Sequence, residues 1–173
     1  MSNKLTVEER LQAIEDRLAI YQLVCGYAVA MDGCNADAVG ACYAEDGIYA
    51  VGDIGDFVGR KAIEAITRRP THLALVNAGV GHITTLPYVV LAGDRASATC
   101  HTVVVMNGKD GYFVGRLSAS RLELSRKPDG GWQIDHRQNF MQNGDGSGPA
   151  LLARLNEGPT RFKSTCNSEV PSV

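Results

Sequence analysis

The stretch 6–32, TVEERLQAIEDRLAIYQLVCGYAVAMD, most constrains what this chain can fold into. Thr6 followed by Glu9 has capping-box spacing, with each side chain placed to satisfy a free backbone N–H at a helix start. Beyond it Leu11, Ile14, Leu18, Tyr21, Cys25, Ala28 and Met31 recur every three or four positions, which predicts one buried helical stripe. Glu8, Glu9, Arg10, Glu15, Asp16 and Arg17 give the first half a wet face. The second half is uncharged until its last residue, so the rest of the fold is expected to cover it. That last residue is Asp32, and the Gly33 after it suits a helix end. A carboxylate at a helix C-terminus opposes the macrodipole. Asp32 is therefore either an exposed end residue or a carboxylate held by a partner.

The chain beyond supplies candidates. Asn35 is placed to cap a short helix carrying Ala38, Val39, Cys42 and Tyr43 inward. Residues 47–51 read as a strand, 56–59 as its short return, and 60–69 as a helix that Pro70 stops. From residue 72 the period changes from helical to two, with His82, Thr84, Leu86, Tyr88 and Val90 on one face. After a turn at 92–95, the strand RASATCHTVVVM puts His101, Val103 and Val105 on one face. NGKDG and KPDGG are hairpin turns around the long strand YFVGRLSASRLELSR, and WQIDHRQNFMQ is the last strand. The tail holds a short helix at 149–156, and its last dozen residues are expected to be loosely held.

Helices followed by strands joined through short turns make an α+β fold. We expect a cone in which the N-terminal helices pack in a curved, mostly antiparallel sheet, with the mouth where the first helix ends. One domain spans 1–145, and 146–173 is a C-terminal extension. The length, 173 residues, suits a single core. A net charge of −2 with no basic block weighs against a nucleic-acid partner, and no apolar run is long enough for a membrane span. The N-terminus is polar and lacks a signal-peptide apolar region, so a cytoplasmic protein is expected. The five Cys, at 25, 34, 42, 100 and 166, are odd in number and without CxxC spacing, so neither a disulfide nor a zinc site is expected.

In this architecture the end of the first helix meets the concave sheet face. A hairpin turning near 92–95 pairs residues whose numbers sum to about 187. His82 would then lie opposite residue 105 and His101 opposite residue 86, both imidazoles on one face. Tyr27, five residues before Asp32, would line the same mouth. Asp32 accepting an N–H of His82 would fix the tautomer and make the other ring nitrogen a base toward a carbon acid. His82, His101 or Tyr27 could then supply the proton for a departing hydroxyl. His101 and Tyr27 read equally well as core residues. His72 and His136 read as surface or edge residues, Trp132 as core, and Arg121 as half of a solvent-facing salt bridge.

The order of these motifs resembles a known family. A helix ending in MD, then NADAVGACYAEDGIY, FVGRKAI, a His-bearing strand and GGWQIDHR is similar to the SnoaL-like branch of the nuclear transport factor 2-like superfamily over residues 5–145. Its catalytic patterns closest to this one are those of scytalone dehydratase, hexachlorocyclohexane dehydrochlorinase and bile-acid 7α-dehydratase. The resemblance implies a catalytic Asp–His dyad at Asp32 and His82. It implies a second pocket His at His101 and a pocket Tyr at Tyr49, as in scytalone dehydratase. From the bile-acid enzyme it implies a Tyr at Tyr27 and a substrate-binding Arg at Arg137. The chain departs from each pattern: Met31 stands where scytalone dehydratase has Tyr, Tyr27 where the dehydrochlorinase has Lys, and His101 near an Asp of the bile-acid enzyme. The reaction class carries over better than any substrate. The implied protein is a lyase of the dehydratase type, without metal or organic cofactor, acting on a small hydrophobic cyclic or polyketide-like molecule. An isomerase or cyclase in the same pocket and a non-catalytic ligand-binding domain are the alternatives. A homo-oligomer, dimer or trimer, is also implied.

Overall fold

The computed structural model describes residues 5–160. Helix α1 (Val7–Asp32) starts at the expected capping box: Thr6 Oγ1 accepts from Glu9 N at 3.1 Å and Glu9 Oε2 accepts from Thr6 N at 2.7 Å. Gly33 is its C-cap. Helix α2 (Ala36–Ala41) is capped by the Asn35 side chain, which accepts from Ala38 N. Strand β1 (Tyr43–Val51) and strand β2 (Gly55–Val58) flank a short 3-10 turn. Helix α3 (Arg60–Glu64) tightens into a 3-10 turn to Arg68.

Residues 72–78 are not extended as the period suggested. Pro70 opens helix α4 (Pro70–Ala78) from its first turn, where a missing N–H costs nothing. Gly79, at φ 94°, turns the chain into strand β3 (Val80–Thr84), and a Cβ there would meet Asn107 Cβ at 2.9 Å. Strand β4 (Tyr88–Ala92), strand β5 (Arg95–Gly108), strand β6 (Gly111–Arg126), strand β7 (Trp132–Met141) and helix α5 (Ser147–Ala153) complete the order. The last dozen residues, expected to be loose, lie outside the described residues.

The sheet is curved and open, with strand order β2-β1-β7-β6-β5-β3 and β4 also paired to β5. It is mixed, because β1 runs parallel to β7 while the other pairs are antiparallel. Two neighbouring β6 residues show what each face does. Leu122 is buried in the core with Leu124, Ile134, Ala96 and Ala98. Arg121 points to the other face, under α5 and the segment after it. No helix of the described residues is long and apolar enough to cross a membrane. Cys25, Cys34, Cys42 and Cys100 are free thiols, and Cys166 lies outside the described residues.

Helix α1 buries the expected stripe only at its end, at Ala28 and Met31, and a different one before it. Leu11, Ile14 and Leu18 are more than half exposed, and Cys25 is exposed. The buried residues are Asp16, Ile20, Val24, Tyr27 and Met31, with Ala28 and Ala30 beside them. Asp16, placed on the wet face by its charge, sets the phase. Its carboxylate takes two 2.9 Å bonds from the Arg126 guanidinium and one of 3.1 Å from Trp132 Nε1. A bidentate guanidinium pair plus an indole N–H supplies what a buried carboxylate requires.

Candidate functional site

The last turn of α1 brings Asp32 against β3. Asp32 Oδ1 stands 2.5 Å from His82 Nδ1, and Oδ2 accepts the His82 backbone N–H at 2.8 Å. One carboxylate thus clamps both the ring and the strand that carries it. With Nδ1–H donated to Asp32, Nε2 is the unprotonated nitrogen. Burial holds the basicity of His82 below its ordinary value, with smaller contributions in the same direction from Arg116 and His72 and an opposing one from Asp32. The imidazole is therefore a neutral base at pH 7.

His82 lines a cavity of about 180 Å³ between α1, α4 and the concave sheet face. Its walls are mostly apolar and include Met31, Ile54, Phe57, Ile66 and Leu75. Arg137 and Tyr27 form its floor. The Arg137 guanidinium lies 4.7 Å from the ring centroid of Tyr27 and 5.0 Å from that of Tyr49, a cation–π arrangement. Its Nη2 donates to Thr102 Oγ1 at 3.2 Å and its Nε to Asn139 Oδ1 at 3.3 Å. Ser120 links those two acceptors, and Asn139 Nδ2 donates to the Tyr49 hydroxyl at 3.1 Å. The Tyr27 ring packs edge-on to Tyr43 and Tyr49. Burial first, then the neighbouring tyrosines, push its hydroxyl well above the ordinary range, so it stays protonated and able to donate.

His82, Tyr27, Tyr49 and Arg137 therefore meet at one cavity, with Asp32 held against it through His82, and His101 does not line it. His82 pairs with Val104 and Thr84 with Thr102, so their numbers sum to 186. In β4 the pairs Tyr88–Thr99 and Val89–Ala98 sum to 187, the value expected for the whole hairpin. Residues 85–87 absorb the one-residue slip, and a slip of one moves every side chain to the other face. Thr102 and Val104 consequently share the His82 face, while His101 points outward.

Other residues enter the cavity unannounced. His72 is buried, not at the surface. Its Nε2 lies 2.9 Å from Met31 O, and its ring centroid is 6.2 Å from that of His82. Helix α4 puts it there, and Pro70 in a helix-opening position was the signal for that helix. Arg69, Arg116, Thr84 and Thr102 also line the cavity. His136, expected at an edge, is buried on the opposite sheet face. Among the described residues no group of three or more His, Cys, Asp or Glu is arranged to hold a metal ion.

The SnoaL-like domain model matches residues 12–138. The chain belongs to the SnoaL-like family. A nuclear transport factor 2-like protein with a cystatin-like fold from Novosphingobium aromaticivorans is 34% identical, over 88% of this chain and 98% of that one, with a TM-score of 0.82. A putative aromatic ring hydroxylase from the same organism is 26% identical, over 75% and 90%, with a TM-score of 0.61. A hexachlorocyclohexane dehydrochlorinase from Novosphingobium barchaimii is 16% identical, over 77% and 90%, with a TM-score of 0.66, a likeness of fold alone. No curated protein matches the chain significantly.

Proposed function

We propose that this SnoaL-like protein is a cofactor-independent lyase that eliminates water from a small hydrophobic cyclic or polyketide-like substrate. The contact between Asp32 and His82, in a cavity with apolar walls, carries the reading. Asp32 holds His82 in the tautomer whose Nε2 is a base. That nitrogen removes a proton from the carbon next to a carbonyl. The electron pair moves onto the carbonyl oxygen, where Arg137 and the protonated Tyr27 stand ready to stabilise it. Collapse of this enolate breaks the bond to the hydroxyl on the next carbon. The imidazolium returns its proton to that oxygen, which leaves as water. The base thus serves as the acid, and His101 on the outer face has no part.

The absence of His101 from this cavity favours a second reading, isomerisation, in which the imidazolium returns its proton to carbon and nothing leaves. Mass spectrometry separates the two, since only elimination loses a water. The test is a panel of hydroxylated cyclic ketones with wild-type protein and Asp32→Asn. Asn at this position cannot hold the tautomer, and turnover should fall about 10²–10⁴-fold. The thermal midpoint should stay near wild type. A variant that turns over like wild type removes the dyad from the mechanism, and a variant that unfolds makes Asp32 structural.

A further inference from the structure

The cavity has a charge balance that elimination from a neutral molecule does not need. Three arginines line it: Arg137 on the floor, Arg116 half-buried on β6, and Arg69 exposed at the start of α4 with its guanidinium 4.6 Å over the Phe57 ring. Elsewhere Arg60, Arg95, Arg121, Arg126 and Arg154 each form an ion pair with a carboxylate, while Arg10, Arg17 and Arg68, none of them buried, form none among the described residues. Arg69, Arg116 and Arg137 form none among the described residues. No Asp or Glu is among the described residues that line the cavity. The carboxylate in contact with it through a lining residue is Asp32, already held by His82. Counting Asp32 against the three guanidiniums still leaves two positive charges.

Arginine cannot escape this by losing its proton. Buried charge without a counter-charge is costly, and Arg137 recovers part of that cost from two neutral acceptors and two aromatic faces. Thr84 adds a buried hydroxyl with no hydrogen-bond partner among the described residues. A cavity of this size admits a small ring, and its apolar walls suit one.

We propose that the natural ligand is a small hydrophobic anion, a ring bearing a carboxylate or comparable oxyanion, whose charge is met by Arg116 and Arg69 while its ring fills the apolar walls. The proposal deepens the lyase reading by naming the substrate class, and it rests on that reading only for what happens after binding. Arg137 is left for the carbonyl oxygen on which negative charge develops. Arg69 at the rim and Arg116 further in give an incoming anion two successive partners, and charged acceptors make the stronger hydrogen bonds.

The test compares 2-naphthoate with 2-naphthamide, the same ring with and without the charge, by titration calorimetry on the full chain. The carboxylate should bind at least about tenfold more tightly than the amide, as a charge-assisted contact requires. The ratio should shrink at about 1 M salt, where the Debye length is about 3 Å. It should also shrink in the double variant Arg69→Gln with Arg116→Gln, while the amide binds as before. Amide binding equal to carboxylate binding overturns the proposal, as does failure of both probes to saturate. A preference that survives the double substitution overturns it too, since the anion then sits elsewhere. Neither probe can undergo elimination. Loss of the lyase reading would appear instead as absence of water loss from any hydroxylated substrate, anionic ones included, with the probe preference intact.

Discussion

Two arginines are buried on neighbouring strands of one sheet, on opposite faces, and their surroundings differ in kind. Arg121, on the outer face, is 2% exposed and fully engaged. Its Nε donates to Glu123 Oε1 at 2.9 Å, and its terminal nitrogens reach Thr99 and the carbonyls of Arg154, Glu157 and Gly158. Glu123 uses its other oxygen to accept from Thr160 N at 2.9 Å. The pair thus fastens the segment after α5 to the sheet. Arg137, on the concave face, is 4% exposed and meets no carboxylate. A buried cation with every bond taken is structure. One with neutral partners, facing a cavity, has capacity left for a ligand.

Substitution to Met should separate the two, and the largest effect belongs to Arg121. Arg121→Met leaves Glu123 buried without its counter-charge and frees three carbonyls. Removing one member of a buried pair typically costs about 3–5 kcal/mol, visible as a lower denaturant midpoint. Adding Glu123→Leu to it should restore much of that loss, because the uncompensated charge goes too. A single variant that unfolds like wild type would show the outer-face pair to be idle and dissolve the contrast.

Arg137→Met should behave in the opposite way. It removes a cation that has no carboxylate to orphan, and Thr102 and Asn139 keep their bonds to Ser120. Stability should stay within about 1 kcal/mol of wild type, because lost hydrogen bonds are offset by relief of desolvation. Turnover should fall about 10²-fold, the usual effect of losing one donor to a developing oxyanion. A stability loss matching that of Arg121→Met would make Arg137 a core residue.

The sequence distinguished these two arginines only in part, and the reason is local. Reading WQIDHRQNF by strict alternation places Trp132, Ile134, His136 and Gln138 on one face and Arg137 on the other. Asp135 interrupts the register: Leu124 pairs with Ile134, yet Glu123 pairs with His136. Beyond that irregularity Arg137 shares the Ile134 face. The resemblance to the family, not periodicity, is what pointed to Arg137. His101 was misplaced by the same kind of event, a one-residue slip at residues 85–87. Helix α1 was legible in its cap and its end, both fixed by short-range chemistry at Thr6, Glu9 and Gly33. Its phase was not, because two apolar series at helical spacing run along it. The one that is buried was selected by Asp16 finding Arg126 and Trp132, each more than a hundred residues away.

The smallest effect sharpens the cavity side of the comparison. Burial, then the charges of Arg116 and His72, hold the proton affinity of His82 below its ordinary value near 6.5, while Asp32 opposes them. The folded pKa lies below the unfolded one, so as pH falls the unfolded chain takes up this proton first. The contribution of His82 to stability is whole above pH 6.5 and is lost as pH falls from there through the folded value. Activity that depends on the neutral ring should fall over its folded titration, on the acid side of 6.5. The Cε1 proton of His82, followed by NMR, reads the titration directly. Arg116→Gln removes a nearby positive charge and should move the midpoint up. Asp32→Asn removes the opposing charge and its hydrogen bond, and should move it down. A small anion seated against Arg116 should act as Arg116→Gln does and make His82 a stronger base in the complex than in the free protein. If 2-naphthoate raised the midpoint in wild type but left it still in Arg116→Gln, the uncompensated cations and the candidate base would be parts of one device. If neither substitution moved it, burial alone would set the basicity of His82.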